Sequence, residues 1–246
     1  MKLDDDIHLV MSGALGLDLT GSLDCNAYLV RAGEGWLMFD AGAGRGTAAV
    51  LDGLRREGID PGRIRALFLT HGHADHSAGA AAVRAALGCP VMSGAATARM
   101  VSAGDEAAIS LTAARAAGGY PSDFVYAGCP IERSVDDGER LAFDGATVTA
   151  LATPGHSHDH MAYLVETDGR RILVSGDALF PGGKVSVQDI YDCSISAICG
   201  SIRRLGTLAF DTLLPGHGAP SLRNAQRHAE AAMAYVRRLA CPPSIP

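Results

Sequence analysis

The stretch THGHADHSAG, residues 70–79, follows the apolar run ALFL (66–69) and places His71, His73, Asp75 and His76 within six positions. Packing does not explain three imidazoles and a carboxylate so close together. Both side-chain types are good ligands for zinc and related divalent ions, and a short loop leaving a strand turns its side chains toward a common point. A single catalytic ion takes three protein ligands and keeps a fourth position for water. Four ligands on one loop therefore imply two ions. A helix beginning near Ser77 would fix the far end of the loop.

Similar settings recur downstream. His156 lies in TPGHSHDH after VTALAT, Asp177 in SGDALF after RILV, and His217 in PGHG after TLLP. Each sits at the end of an apolar run beside glycine or proline, as a strand would deliver a polar residue to a loop.

Further outward, apolar runs at 26–31, 36–40, 66–70, 147–153, 161–166, 172–176 and 212–214 predict strands. Ala-rich stretches at 47–57, 77–87, 95–101, 105–117, 194–205 and 222–239 predict helices, with Pro220 placed to start the last. The pairs 26–31/36–40 and 161–166/172–175 are separated by short turns and read as antiparallel hairpins. The class is α/β, two mixed β-sheets flanked by helices. No linker or internal repeat argues for a boundary, so the expectation is a single domain over 1–246. The segment 94–137, whose helical pattern is broken by GGYPSD (118–123), is its pocket wall or lid.

The totals narrow the function. The chain has 246 residues, 48% of them hydrophobic and 20% charged, as in a folded enzyme with a sizeable core. A net charge of −6 gives no basic excess for nucleic acid or an anionic membrane. The opening MKLDDDIHLV carries three acids where a secretory signal is basic, and no run approaches the ~18 apolar residues of a membrane span. The expectation is a cytoplasmic protein acting on a small-molecule substrate without a membrane partner. Its oligomeric state is not legible. Six scattered cysteines without a C-x-x-C pair read as small core residues.

THGHADH together with TPGH, SGDALF and PGHG, in that order from about Asn26 to His217, resembles the motif series of the metallo-β-lactamase-like superfamily. The resemblance implies an αββα sandwich with two divalent ions, zinc first and Mn2+ or Fe2+ as alternatives. It implies His71, His73 and His156 on one ion, Asp75, His76 and His217 on the other, and Asp177 bridging. A carboxylate suits the bridge because its two oxygens can span ions ~3.5–4 Å apart, whereas an imidazole offers one bare nitrogen. The implied chemistry is hydrolysis by a hydroxide shared between the ions, whose parent water has its pKa lowered toward ~7. Asp75 and Asp177 are the catalytic carboxylates, Asp75 as a proton source for the leaving group.

Asp40, ending WLMF in FDAG, resembles the superfamily's early aspartate and is placed to hold a ligand histidine's second nitrogen. His160 resembles a histidine of glyoxalase II-like hydrolases that lies near the metals without touching them. Lys184, Tyr191, His158 and Phe180, in or beside the run after Asp177, are candidate substrate contacts. His8 and His228 read as structural. The bond expected to be cleaved is an ester, thioester, lactone or amide of a small molecule. The alternatives are a phosphodiesterase or ribonuclease and, because N/O ligands suit iron as well as zinc, an iron-dependent persulfide dioxygenase-like enzyme.

Overall fold

The computed structural model describes residues 1–245. The chain divides into two compact units, Met1–Val135 and Asp136–Pro246. The first holds a six-stranded sheet of β1 (Ile7–Met11), β2 (Ala27–Ala32), β3 (Gly35–Phe39), β4 (Ile64–Phe68), β5 (Val91–Gly94) and β6 (Arg133–Val135), in that order. β1, β2 and β3 pair antiparallel, and β3 through β6 pair parallel, so the sheet is mixed. Its helices are α1 (Thr47–Arg56), α2 (Ala74–Ser77), α3 (Ala80–Leu87), α4 (Ala95–Ala103) and α5 (Leu111–Ala116).

The core of this unit follows from periodicity. α1 turns Val50 and Leu54, and α3 turns Ala80, Val83 and Leu87, onto Leu29, Met38, Leu67 and Val91 of the sheet. A second cluster forms where Ile109, Leu111, Phe124 and Tyr126 meet Ala43, Ala74 and Ala78. The 94–137 segment is thus packed against the 70–79 loop. Its middle is less helical than expected: only 111–116 is α-helix, because Ser110, just before it, adopts φ +60° and interrupts the helical run.

The second unit holds a five-stranded sheet of β7 (Arg140–Phe143), β8 (Ala146–Ala152), β9 (Met161–Thr167), β10 (Arg170–Gly176) and β11 (Thr212–Pro215), ordered β11-β10-β9-β8-β7. β7 through β10 pair antiparallel and β10 pairs parallel with β11. β8, β10 and β11 therefore run the same way and end at the same edge. α6 (Ile195–Leu205) is capped by Ser194 Oγ, which accepts from the Ala197 N–H, and buries Ile198, Ile202 and Leu205. α7 (Gln226–Val236) buries Ala229, Ala232 and Val236 in the same core.

Both expected hairpins form, closed by Gly33–Glu34 and by Asp168–Gly169. α7 begins four residues later than the sequence pattern suggests. Ser221 exchanges two backbone hydrogen bonds with Leu213, and the Ala225 N–H donates to the Asp211 carbonyl, so 221–225 is held against β11 before the helix can start. Among the described residues no helix is long and apolar enough to cross a membrane.

Candidate metal centre

In the first unit the site begins where parallel strands end, the usual place for ligand-binding loops in such sheets. Asp40 follows β3 and the 70–79 loop follows β4. Asp40 is buried with φ +61°, a backbone state that costs energy for a non-glycine residue and is held by its surroundings. Its carboxylate accepts from the Thr70 N–H at 2.8 Å and from the Thr70 hydroxyl at 2.9 Å, and lies 2.9 Å from His76 Nδ1.

Those bonds select the tautomers. A carboxylate only accepts here, so His76 carries its proton on Nδ1 and presents a bare Nε2. The Thr70 hydroxyl spends its hydrogen on Asp40 and so accepts at its 3.0 Å contact with His71 Nδ1, which leaves His71 Nε2 bare as well. His71 is fully buried, with ring centroids 4.6 Å from His73 and 4.2 Å from His76. Asp75 Oδ2 lies 3.6 Å from His76 Nε2. The loop is lashed down through its backbone: the Ala41 N–H donates to His76 O, Gly79 N–H to Gly42 O, and Cys25 N–H to Asp75 O.

Cys25, Asp40 and His76 also stand close enough to form a three-ligand group. Burial pushes the Cys25 thiol up to about 12, and Asp40 already engages His76 Nδ1. The Asp40 carboxylate is taken up by the Thr70 N–H, the Thr70 hydroxyl and His76 Nδ1, so it supports the loop from behind.

In the second unit three residues come from three strand ends. Asp177, just past β10, is buried, and its Oδ2 lies 3.5 Å from His156 Nε2 and 3.4 Å from His217 Nε2. His156 belongs to the loop joining β8 to β9, and His217 follows β11. The Gly216 N–H donates to Gly176 O at 2.8 Å, which ties the His217 loop to the Asp177 turn. Gly155 is required beside His156: its φ is +143°, and a Cβ there would come 2.4 Å from the Ile198 nitrogen.

His160 Nε2 accepts from the Asp177 backbone N–H at 3.0 Å, so its proton resides on Nδ1 and is given to Thr153 Oγ1 at 2.8 Å. Both nitrogens are used, so His160 orients the Asp177 backbone and has none to offer a metal. Phe180 is buried, its ring nearly parallel to the His217 imidazole at 6.5 Å. His158 and Tyr191 are exposed and meet edge to face at 5.9 Å, and Lys184 is exposed. His8 packs edge-on against Trp36, and His228 Nδ1 accepts from the Gly182 N–H.

The donor set of imidazoles, with Nε2 unprotonated in His71 and His76, and carboxylates fits borderline divalent ions such as zinc. Sequence reasoning missed Thr70 and Thr153, the hydroxyls that fix the histidine tautomers, and Tyr120, whose hydroxyl donates to Asp75 Oδ1 at 3.4 Å. Thr70 and Thr153 each open a conspicuous motif, which is the available signal. Tyr120 stands inside GGYPSD, which reads as a helix break.

Comparison with known proteins agrees with the fold. A subclass B3 metallo-β-lactamase of Bradyrhizobium japonicum superposes with a TM-score of 0.71 at 19% identity, covering 97% of this chain and 91% of that one. An atrochrysone carboxyl ACP thioesterase of Aspergillus fumigatus is 28% identical over 195 residues, 79% of this chain and 50% of the relative. A hydroxyacylglutathione hydrolase of Marinomonas is 28% identical over 161 residues, 65% of this chain and 49% of the relative. The chain spans about half the length of these curated relatives. The model of the metallo-beta-lactamase superfamily matches residues 20–217, every candidate ligand included, and the chain belongs to that superfamily.

Proposed function

We propose that the two units act as one catalytic domain, a metal-dependent hydrolase of small-molecule acyl substrates. In it His71, His73 and His156 hold one ion, Asp75, His76 and His217 hold a second, and Asp177 bridges them. The observation that carries this is Asp177 Oδ2, poised 3.5 and 3.4 Å from the Nε2 atoms of two histidines assigned to different ions. Bound there, two zinc ions would acidify the attacking water and polarise the bond under attack.

The chain's own residues supply the rest. Asp40 and Thr70 keep the protons of His76 and His71 on Nδ1, so that Nε2 is the donor in both. His160 holds the Asp177 backbone. Asp75 can carry a proton on a carboxylate oxygen to the departing group. Phe180, buried with its ring nearly parallel to that of His217, and Tyr191, His158 and Lys184, exposed in the second unit, are the proposed substrate contacts. Among ester, thioester, lactone and amide bonds, the relatives' names, a thioesterase and an acylglutathione hydrolase, favour the thioester.

The test is elemental analysis of the purified chain beside a zinc-replete assay on acyl thioester, carboxyl ester, lactone, β-lactam and phosphodiester substrates. We expect two zinc ions per chain and fastest turnover of a thioester. A chain that takes up no divalent ion, or cleaves only the phosphodiester, overturns the proposal.

A further inference from the structure

The segment between β5 and β6 plays no part in the chemistry above, yet two of its tyrosines reach the 70–79 loop. The Tyr126 hydroxyl lies 2.8 Å from Ser77 Oγ, which gives its own hydrogen to the Gly72 carbonyl at 2.7 Å, so Tyr126 is the donor. Tyr120, half-buried, donates to Asp75 Oδ1 at 3.4 Å, the long end of the hydrogen-bond range. The other carboxylate oxygen, Oδ2, is the one that faces His76 Nε2. The two oxygens of Asp75 are thus divided between a phenol and the neighbourhood of a ligand histidine.

The phenol's aim is fixed by packing. Its ring lies 4.8 Å from that of Phe124, which is buried beside Ile109 and Leu111, and Arg115 spans Glu106 at 2.8 Å and the Phe124 carbonyl at 2.9 Å. A carboxylate with no such donor can rotate or offer both oxygens to one ion, with a different geometry and affinity.

We propose that Tyr120 is a positioning residue that holds Asp75 Oδ1, so that Oδ2 alone serves the ion shared with His76, and that this bond couples the 95–132 segment to metal loading. The inference rests on the proposed binuclear centre for the ion; the hydrogen bond is observed. Coupling of this kind is reciprocal: the segment tightens the ion and the ion steadies the segment.

Tyr120→Phe keeps the ring against Phe124 and removes only the hydroxyl. Zinc would be titrated into the full chain against a chromophoric chelator, and amide hydrogen exchange over residues 111–126 followed with and without zinc. We expect two zinc affinities in the wild type, the weaker one reduced about 10-fold in Tyr120→Phe. Zinc-dependent protection of 111–126 should be present in the wild type and lost in the variant, with the metal-free melting temperature little changed. Wild-type affinities and protection in Tyr120→Phe would overturn this inference and leave the proposed centre standing. Absence of zinc-dependent protection at 111–126 in the wild type would overturn it without need of the variant. A wild-type chain that binds no zinc would overturn both.

Discussion

The two units assemble their candidate ligands by opposite routes. In the first, four candidates lie on one loop, and a carboxylate behind it decides which nitrogen each neighbouring histidine presents: Asp40 acts on His76 directly and on His71 through Thr70. In the second, His156, Asp177 and His217 are far apart in sequence and meet because β8, β10 and β11 end at one edge of the sheet. There the fixing is done by the main chain, at the Asp177 N–H held by His160 and the Gly216 N–H held by Gly176. A crowded loop needs chemical sorting of its donors. A dispersed set needs a rigid sheet.

The sharpest way to break this contrast is to remove the residue to which the dispersed set converges. Asp177→Ala takes away the carboxylate between His156 and His217, and we expect both ions to be lost and activity with them. Metal affinity should fall by more than about 100-fold, beyond the ~10–100-fold typical of residues that only support ligands. Chelator competition and turnover of the best substrate check it, and retention of two ions at wild-type affinity would show that the second unit's cluster is not a metal site.

The corresponding blow to the crowded loop is smaller, because Asp40 sorts donors without being one. Asp40→Asn keeps the shape but offers one accepting oxygen where the carboxylate met the Thr70 N–H, the Thr70 hydroxyl and His76 Nδ1. We expect affinity for the ion assigned to His76 to drop about 10- to 100-fold, and that for the ion assigned to His71, which Asp40 reaches only through Thr70, to drop less. Equal loss at both sites would mean that Asp40 supports the fold of the loop more than the aim of His76.

These differences also explain what could be read in advance. The placement of HGHADH after its strand was legible because such His and Asp density is rare and local, and that of Asp177 and His217 because each follows an apolar run and sits beside a glycine. β5, β6 and β7 were not, since VMSG, RSV and RLAF are three or four residues long with no clear alternation. The start of α7 was misplaced because the Ser221–Leu213 pairing is a long-range contact that no window around Pro220 contains. The roles of Asp40 and His160 were legible as positions, but the bonds that define them run to threonines whose contact depends on the fold. Tyr120 lay furthest from any local signal, 45 residues from the aspartate it touches.

The finest test of the contrast uses one substitution in both units, since each contains a threonine hydroxyl against a histidine Nδ1: Thr70 with His71 at 3.0 Å and Thr153 with His160 at 2.8 Å. Valine keeps the shape and removes the oxygen, leaving a buried imidazole N–H without its acceptor, a loss of about 1–3 kcal/mol in either case. Urea unfolding of the metal-free chain should therefore show destabilisation for both variants, the larger for Thr70→Val, which also loses the hydroxyl's bond to Asp40. Their zinc affinities should separate. His71 is a proposed ligand whose bare Nε2 depends on that bond, so Thr70→Val should weaken zinc about 10-fold. His160 gives its Nε2 to the Asp177 N–H, so Thr153→Val should lower zinc affinity less than Thr70→Val does. If Thr153→Val weakened zinc as much as Thr70→Val, the second unit would be sorting its donors through side chains as the first does, and the division between a chemically sorted loop and a sheet-built set would fall.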